Sequence, residues 1–144
     1  MKLIVDASVL VGELSRRRGQ ELIRHPELTL YVAERALDET YYELTKRITA
    51  AVERGRYTKV TGEDILQSAR QCLDNHITFV AGSVYARFES EARARIPRDP
   101  NDWPTVAAAL ALEAAIWTQD PDFLGCGCPT WTTETLLIRL NRIQ

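Results

Sequence analysis

Leu3-Ile4-Val5-Asp6-Ala7-Ser8 is the stretch whose reading decides the fold. Three adjacent apolar side chains, two of them β-branched, suit a strand covered on both faces, as in a parallel sheet. Asp6 ends the run, and Ala7–Leu14 reads as a helix with Val9, Leu10 and Leu14 on one face. The same change of period recurs along the chain. Residues 28–32, 76–80, 115–118 and 130–132 read as further short strands. Between them, Ala33, Leu37, Tyr41, Leu44, Ile48 and Val52 mark a helix over 33–54 that Gly55 closes. Thr61 with Asp64 three residues on predicts a capped helix start, with the helix running to Leu73. Val84, Phe88, Ala92 and Ile96 mark a helix ending before Pro97, and Pro104 fits the first turn of the next, which carries Val106, Leu110 and Ala114. Thr133 and Glu134 open a last helix over 135–140, whereas Arg16-Arg17-Arg18-Gly19 is expected to break or end the first.

Strands alternating with helices from end to end, without repeat or linker, predict an α/β fold. The expected architecture is a three-layer open parallel β-sheet of about five strands with helices on both faces, as one domain over residues 1–144. Apolar residues at 45% and charged residues at 26% are ordinary globular values, which excludes disordered and collagen-like classes. No apolar run approaches the roughly 20 residues of a membrane span. Asp6 interrupts the N-terminal apolar run too early for a signal peptide, so a cytoplasmic protein is expected. Three cysteines, Cys72, Cys126 and Cys128, do not make a secreted disulfide framework. Cys126-Gly127-Cys128 lacks a second Cys or His pair at zinc-ligand spacing, and His25 and His76 stand isolated.

In open parallel sheets ligands bind outside the carboxyl ends of the strands, where the strand order reverses. Asp6 and Asp120 follow predicted strands, Asp102 stands at a helix start, and Glu39 lies in the first two turns of the long helix. Each has a purely structural alternative. Asp6 and Asp102 could cap helices, Asp120-Pro121-Asp122 could be a turn, and Glu39 could pair with an arginine. Together at one sheet end they would repel, raising their pKa values. A hard divalent cation removes that penalty, and an all-oxygen donor set points to Mg²⁺ or Mn²⁺. Glu43, one turn beyond Glu39, has Lys46 and Arg47 as ordinary ion-pair partners, and Asp99 and Asp122 stand as outer ligands.

Leu3-Ile4-Val5-Asp6-Ala7-Ser8 resembles the opening of a PIN domain, the fold of many metal-dependent ribonucleases. Glu39 stands where that family places an acidic residue near the start of its second-strand helix, with Glu43 the nearest substitute. Asp99-Pro100-Asn101-Asp102 followed by Val106-Ala107-Ala108-Ala109-Leu110-Ala111 is similar to its third motif, with Asp102 as the acidic residue. Trp117-Thr118-Gln119-Asp120-Pro121-Asp122-Phe123 is similar to its fourth, with Asp120 in the acidic place and Thr118 supporting it. Leu30-Tyr31-Val32-Ala33-Glu34 departs from the pattern, lacking the small polar or proline residues often found before the second acidic position.

The resemblance implies hydrolysis of RNA phosphodiester bonds with Mg²⁺ or Mn²⁺ held by Asp6, Glu39, Asp102 and Asp120, joined further out by Ser8 and Thr118. At this length it resembles the VapC-like toxins of bacterial type II toxin–antitoxin pairs, which implies a homodimer and an antitoxin partner. An RNA-processing PIN nuclease without an antitoxin, or a non-catalytic PIN-like interaction module, are the alternatives. Net charge is −2, but with the four site carboxylates set aside the basic residues outnumber the acidic ones, and most are arginines. Guanidinium groups grip phosphate in a fork that lysine cannot match. Trp103, Trp117 and Trp131 are either core residues or part of a dimer surface.

Overall fold

The computed structural model describes residues 1–143. Gln144, the last residue of the expected 1–144 domain, lies outside the described residues. Five strands, β1 (Lys2–Val5), β2 (Thr29–Ala33), β3 (Ile77–Val80), β4 (Ala115–Trp117) and β5 (Thr130–Trp131), form one sheet in the order β3-β2-β1-β4-β5. Every pairing is parallel; Ile4 stands opposite Tyr31 on one side and Ile116 on the other. Leu3, Ile4 and Val5 are each 0% exposed, as a strand covered on both faces requires.

Helices α1 (Ala7–Leu14), α2 (Arg17–Ile23), α3 (Glu34–Glu53) and α4 (Lys59–His76) follow the first two strands. After β3 come α5 (Gly82–Tyr85), a 3₁₀ turn at Ala86–Phe88, α6 (Glu89–Arg95) and, past a second 3₁₀ turn at Pro100–Asp102, α7 (Trp103–Leu112). Helix α8 (Thr133–Ile143) ends the chain. Helix α7 is the packing centre: it lies on β1, β2 and β4 and carries α5 and α6. Val106, Ala107 and Ala108 are wholly buried on it, so no face is left polar, as expected of a helix enclosed all round.

Three local expectations are corrected. The first helix ends at Leu14, close to the expected break, but Gly19 is not the stop: Arg17, Arg18 and Gly19 lie inside the next helix, α2. A Cβ at Gly19 would run into the backbone of Glu13, so this glycine serves the close approach of α2 to α1. Thr58, not Thr61, caps α4: its hydroxyl accepts the Thr61 N–H at 3.1 Å, and the helix runs on to His76. The helix expected up to Ile96 is instead two short helices around a 3₁₀ turn, because Tyr85 rather than Val84 is the buried anchor there. Of the two readings of the tryptophans the core one holds: Trp103 and Trp117 are core residues, and Trp131 is partly buried against the core.

Candidate active site

The strand order turns at β1: β2 and β3 lie to one side and β4 and β5 to the other. Asp6 leaves β1 and Asp120 follows β4, so the two carboxylates flank the point where a doubly wound sheet opens a crevice. Asp6 occupies the N-cap position of α1, yet its side chain makes no capping bond. Its Oδ2 instead accepts two hydroxyls, Ser8 at 2.9 Å and Thr118 at 3.0 Å. The Asp6 N–H donates to the carbonyl of Trp117 at 3.0 Å, fixing the ends of β1 and β4 together. Thr118 is buried, and its Oγ1 also accepts the Asp120 N–H at 3.0 Å, so one hydroxyl orients both acidic positions. Burial raises the Asp6 pKa, the two hydroxyl donors oppose the rise, and Asp120 adds to it.

Asp102 also sits at an N-cap position without a side-chain cap bond. Its carboxyl is pushed up to about 7, by desolvation first and then by the like charges of Asp99, Asp6 and Asp120 and a hydrogen bond to Asp99. Asp99 and Asp102 face each other across the 3₁₀ turn at Pro100–Asp102, and the charge of Asp99 is the largest of the like charges acting on Asp102. Glu39 reaches the cluster from α3; partial desolvation and the charges of Asp6, Glu43 and Asp99 raise its pKa. Among the described residues no lysine or arginine forms an ion pair with Glu39 or Glu43. Capping explains neither Asp6 nor Asp102, and pairing does not explain Glu39. The structural alternative holds in part for Asp120, whose Oδ1 accepts the Asp122 N–H at 2.9 Å and caps the turn at Pro121–Phe123. Asp122 turns outward to Arg98 at 3.3 Å.

Asp6, Asp99, Asp102, Asp120, Glu39 and Glu43, from four separate stretches of chain, are therefore linked through their electrostatic effects on Asp6, Glu39 and Asp102. The donor chemistry, carboxylate oxygens whose mutual repulsion resists ionisation, fits a hard divalent cation. As they stand, the described residues include no group of three or more His, Cys, Asp or Glu side chains set to hold a metal ion. The cluster is an open one. Neither of two cavities on the protein is lined by these carboxylates; the smaller is lined by Glu34, Arg35, Asp38, Tyr85 and Trp103.

The PIN domain family model matches residues 4–141. The chain belongs to the PIN domain family. PIN domains are in general nucleases, and the family assignment extends that class to this chain. Among solved structures, PAE2754 from Pyrobaculum aerophilum superposes with a TM-score of 0.67 at 20% identity, over 99% of this chain and 90% of that one. VapBC2 from Rickettsia felis, determined bound to a DNA fragment from its promoter, gives a TM-score of 0.61 at 14% identity, over 92% of this chain and 98% of that one. At such identities the likeness is one of fold. No curated protein matches the sequence. On this PIN fold Asp99 stands directly beside Asp102 and helps to raise its pKa. The three-residue spacing of Asp99-Pro100-Asn101-Asp102, one 3₁₀ turn, is the signal that could have paired them.

Proposed function

We propose that this PIN domain protein, as one domain over residues 1–144, is a divalent-metal-dependent endoribonuclease acting as the toxin of a bacterial type II toxin–antitoxin pair. Asp6, Glu39, Asp102 and Asp120 would hold Mg²⁺ or Mn²⁺, with Asp99, Glu43 and Asp122 around them. The observation that carries the reading is Asp6. It is a partly buried carboxylate at the sheet's switch point, bonded by Ser8 and Thr118 and unused as a helix cap. A bound divalent ion supplies a water of lowered pKa and charge compensation at the phosphate.

The chain's own residues do the rest. Ser8 and Thr118 donate to Asp6 Oδ2 and leave Oδ1 free of their hydroxyls, which fixes the carboxylate's orientation. Thr118 holds the backbone at Asp120 in step with Asp6. Asp102, with its pKa pushed up to about 7, can take or release a proton at neutral pH, and the neighbouring charge of Asp99 helps to keep it there. Arg98, exposed beside Asp122, offers a guanidinium to a phosphate at the rim.

The products expected are a 5′-phosphate and a 3′-hydroxyl, from a cytoplasmic homodimer inhibited by an antitoxin that covers the site. Among the described residues no helix is long and apolar enough to cross a membrane. Wild type and Asp6→Asn, incubated with single-stranded RNA in Mn²⁺ or in EDTA, test the reading. Cleavage by the wild type in Mn²⁺ alone supports it; cleavage that survives EDTA or Asp6→Asn refutes it. An adjacent gene for a short DNA-binding protein, and a dimer mass in light scattering, test the toxin assignment separately.

A further inference from the structure

Cys126-Gly127-Cys128 lies between β4 and β5, on the loop that begins at Asp120, and the proposed hydrolysis does not use it. Two residues apart in an extended chain, Cα atoms stand about 7 Å from each other, beyond the roughly 4.4–6.8 Å that a disulfide spans. Gly127 removes that obstacle: its φ of +88° turns the chain back on itself, a conformation glycine adopts freely. The turn brings Cys126 Sγ to 3.9 Å from the carbonyl of Cys128, so the buried thiol is folded back against its partner residue. Cys126 is 1% exposed, and Cys128 is the sulfur that solvent reaches.

The hook is clamped. Arg95 Nη1 donates to the Cys126 carbonyl at 2.9 Å, and its guanidinium occupies the space that a Cβ at position 127 would need. Glu91 holds that guanidinium at 2.7 Å from the other side. The buried Phe123 accepts the Cys126 N–H at 3.2 Å. A positive charge thus stands beside both cysteines, and a neighbouring guanidinium favours the thiolate that reacts.

We infer that Cys126 and Cys128 are a reversible dithiol–disulfide site, oxidised by a low-molecular-weight disulfide such as oxidised glutathione and restored by thiols. The pair gives up its first proton easily, the Cys126 thiol being lowered to about 6 by its bond to Cys128 and by Arg95, while the Cys128 thiol is raised. The proton between the sulfurs passes to Cys126 as Cys128 attacks the small disulfide, forming a mixed disulfide and expelling one thiolate. Cys126 then loses its proton and attacks the Cys128 sulfur, expelling the second thiolate. The two protons lost by the protein leave with those thiolates, so the dithiol is oxidised by two electrons and the reagent is reduced to two thiols. The site stands apart from the nuclease reading and does not depend on it.

The test is to equilibrate the full-length protein with oxidised glutathione, unfold it, and count thiols. Reduced protein has three, from Cys72, Cys126 and Cys128. One thiol after oxidation, with a peptide joining Cys126 to Cys128 that is lighter by two hydrogens and reverts with dithiothreitol, is the expected result. Cys72→Ser should still lose two thiols, and Cys126→Ser should stop as a glutathione adduct at Cys128. Three thiols remaining, an adduct confined to Cys72, or a dimer linked between chains would overturn the inference. The wild-type peptide map decides the matter even if the serine variants fail to fold.

Discussion

Between α1, α2 and α8 a cavity of about 570 Å³ is rimmed by Arg16, Arg17 and Arg18 and walled by Leu22, Leu137 and Leu140. The carboxylates at the ends of β1 and β4 do not line that cavity, yet burial and like charge raise the pKa of Asp6, Glu39 and Asp102. In the groove, charge is settled locally: Arg16 meets Glu13 at 3.2 Å and Arg17 meets Glu21 at 3.5 Å. At the strand ends, Asp6 is served by two hydroxyls and the Ala7 backbone, and among the described residues neither Asp6 nor Glu39 forms an ion pair. Concavity and unsettled charge have separated on this protein, and unsettled charge is the better marker of chemistry.

The sharpest way to break that contrast is to neutralise one residue in each region. Asp6→Asn should lower kcat/KM for RNA cleavage about 10³-fold, the several kcal/mol of transition-state stabilisation a held ion supplies at tenfold per 1.36 kcal/mol. Arg17→Ala, on a side chain 94% exposed, should stay within about 0.5 kcal/mol in both stability and rate. Equal losses in the two variants would erase the distinction.

Metal addition should separate the regions next. An ion binding only the folded state at a hundredfold excess over its Kd stabilises by about 2.7 kcal/mol. With roughly 2–8 °C per kcal/mol, saturating Mn²⁺ should raise the Tm of wild type and Arg17→Ala alike, and that of Asp6→Asn far less. A thermal shift of the same size in all three proteins would place the ion elsewhere.

Ser8→Ala and Thr118→Val remove donors that hold the Asp6 pKa down, so each should raise it and move the acidic limb of the pH–rate profile upward. Hydrogen bonds to a charged group contribute about 1.5–3 kcal/mol, so a loss of roughly tenfold or more in rate is expected for each. An unmoved pH limb would show that the hydroxyls only fill space.

Asp102 gives the smallest effect and a clear sign. Its folded pKa of about 7 lies above the ordinary 3.8, so the protonated form contributes stability that is complete below about 3.8 and lost as pH rises through about 7. Asp102→Asn keeps the neutral donor to Asp99 and should make the metal-free protein more stable above pH 7, by about 1–2 kcal/mol once solvent screening at this partly exposed position is discounted. Denaturant melts at pH 3, pH 5 and pH 8.5 check it: the variant should gain nothing at pH 3, roughly a third of the full effect at pH 5 and all of it at pH 8.5.

Asp6 was legible in the sequence because a carboxylate that stops a fully apolar run can only sit at a strand end, and the strand is β1. The order of α and β elements was legible for the same reason, each change of period marking a boundary. Gly19 misled because a glycine beside three arginines reads as a terminator, whereas its role is set by Glu13 on a neighbouring helix. Val84 misled because helical spacing fits either face, and the burial of Tyr85 against α7 chose the other. The grip of Thr118 on Asp6 joins residues 112 apart in the chain, so only the pairing of β1 with β4 could show it. The resemblance to a PIN domain singled out the acidic positions as candidates; it held no information on how Asp99 acts on Asp102.

Titration calorimetry of Mn²⁺ into wild type and Asp6→Asn, set beside the Mn²⁺ dependence of RNA cleavage, tests most directly whether these carboxylates hold the ion the enzyme uses. Saturable binding by the wild type, weakened at least about tenfold in Asp6→Asn and matched by the concentration at which cleavage saturates, is the predicted result, since Asp6 contributes a charge at the centre of the donor set. Equal affinity in the two proteins, or cleavage that saturates where no binding is seen, would contradict it.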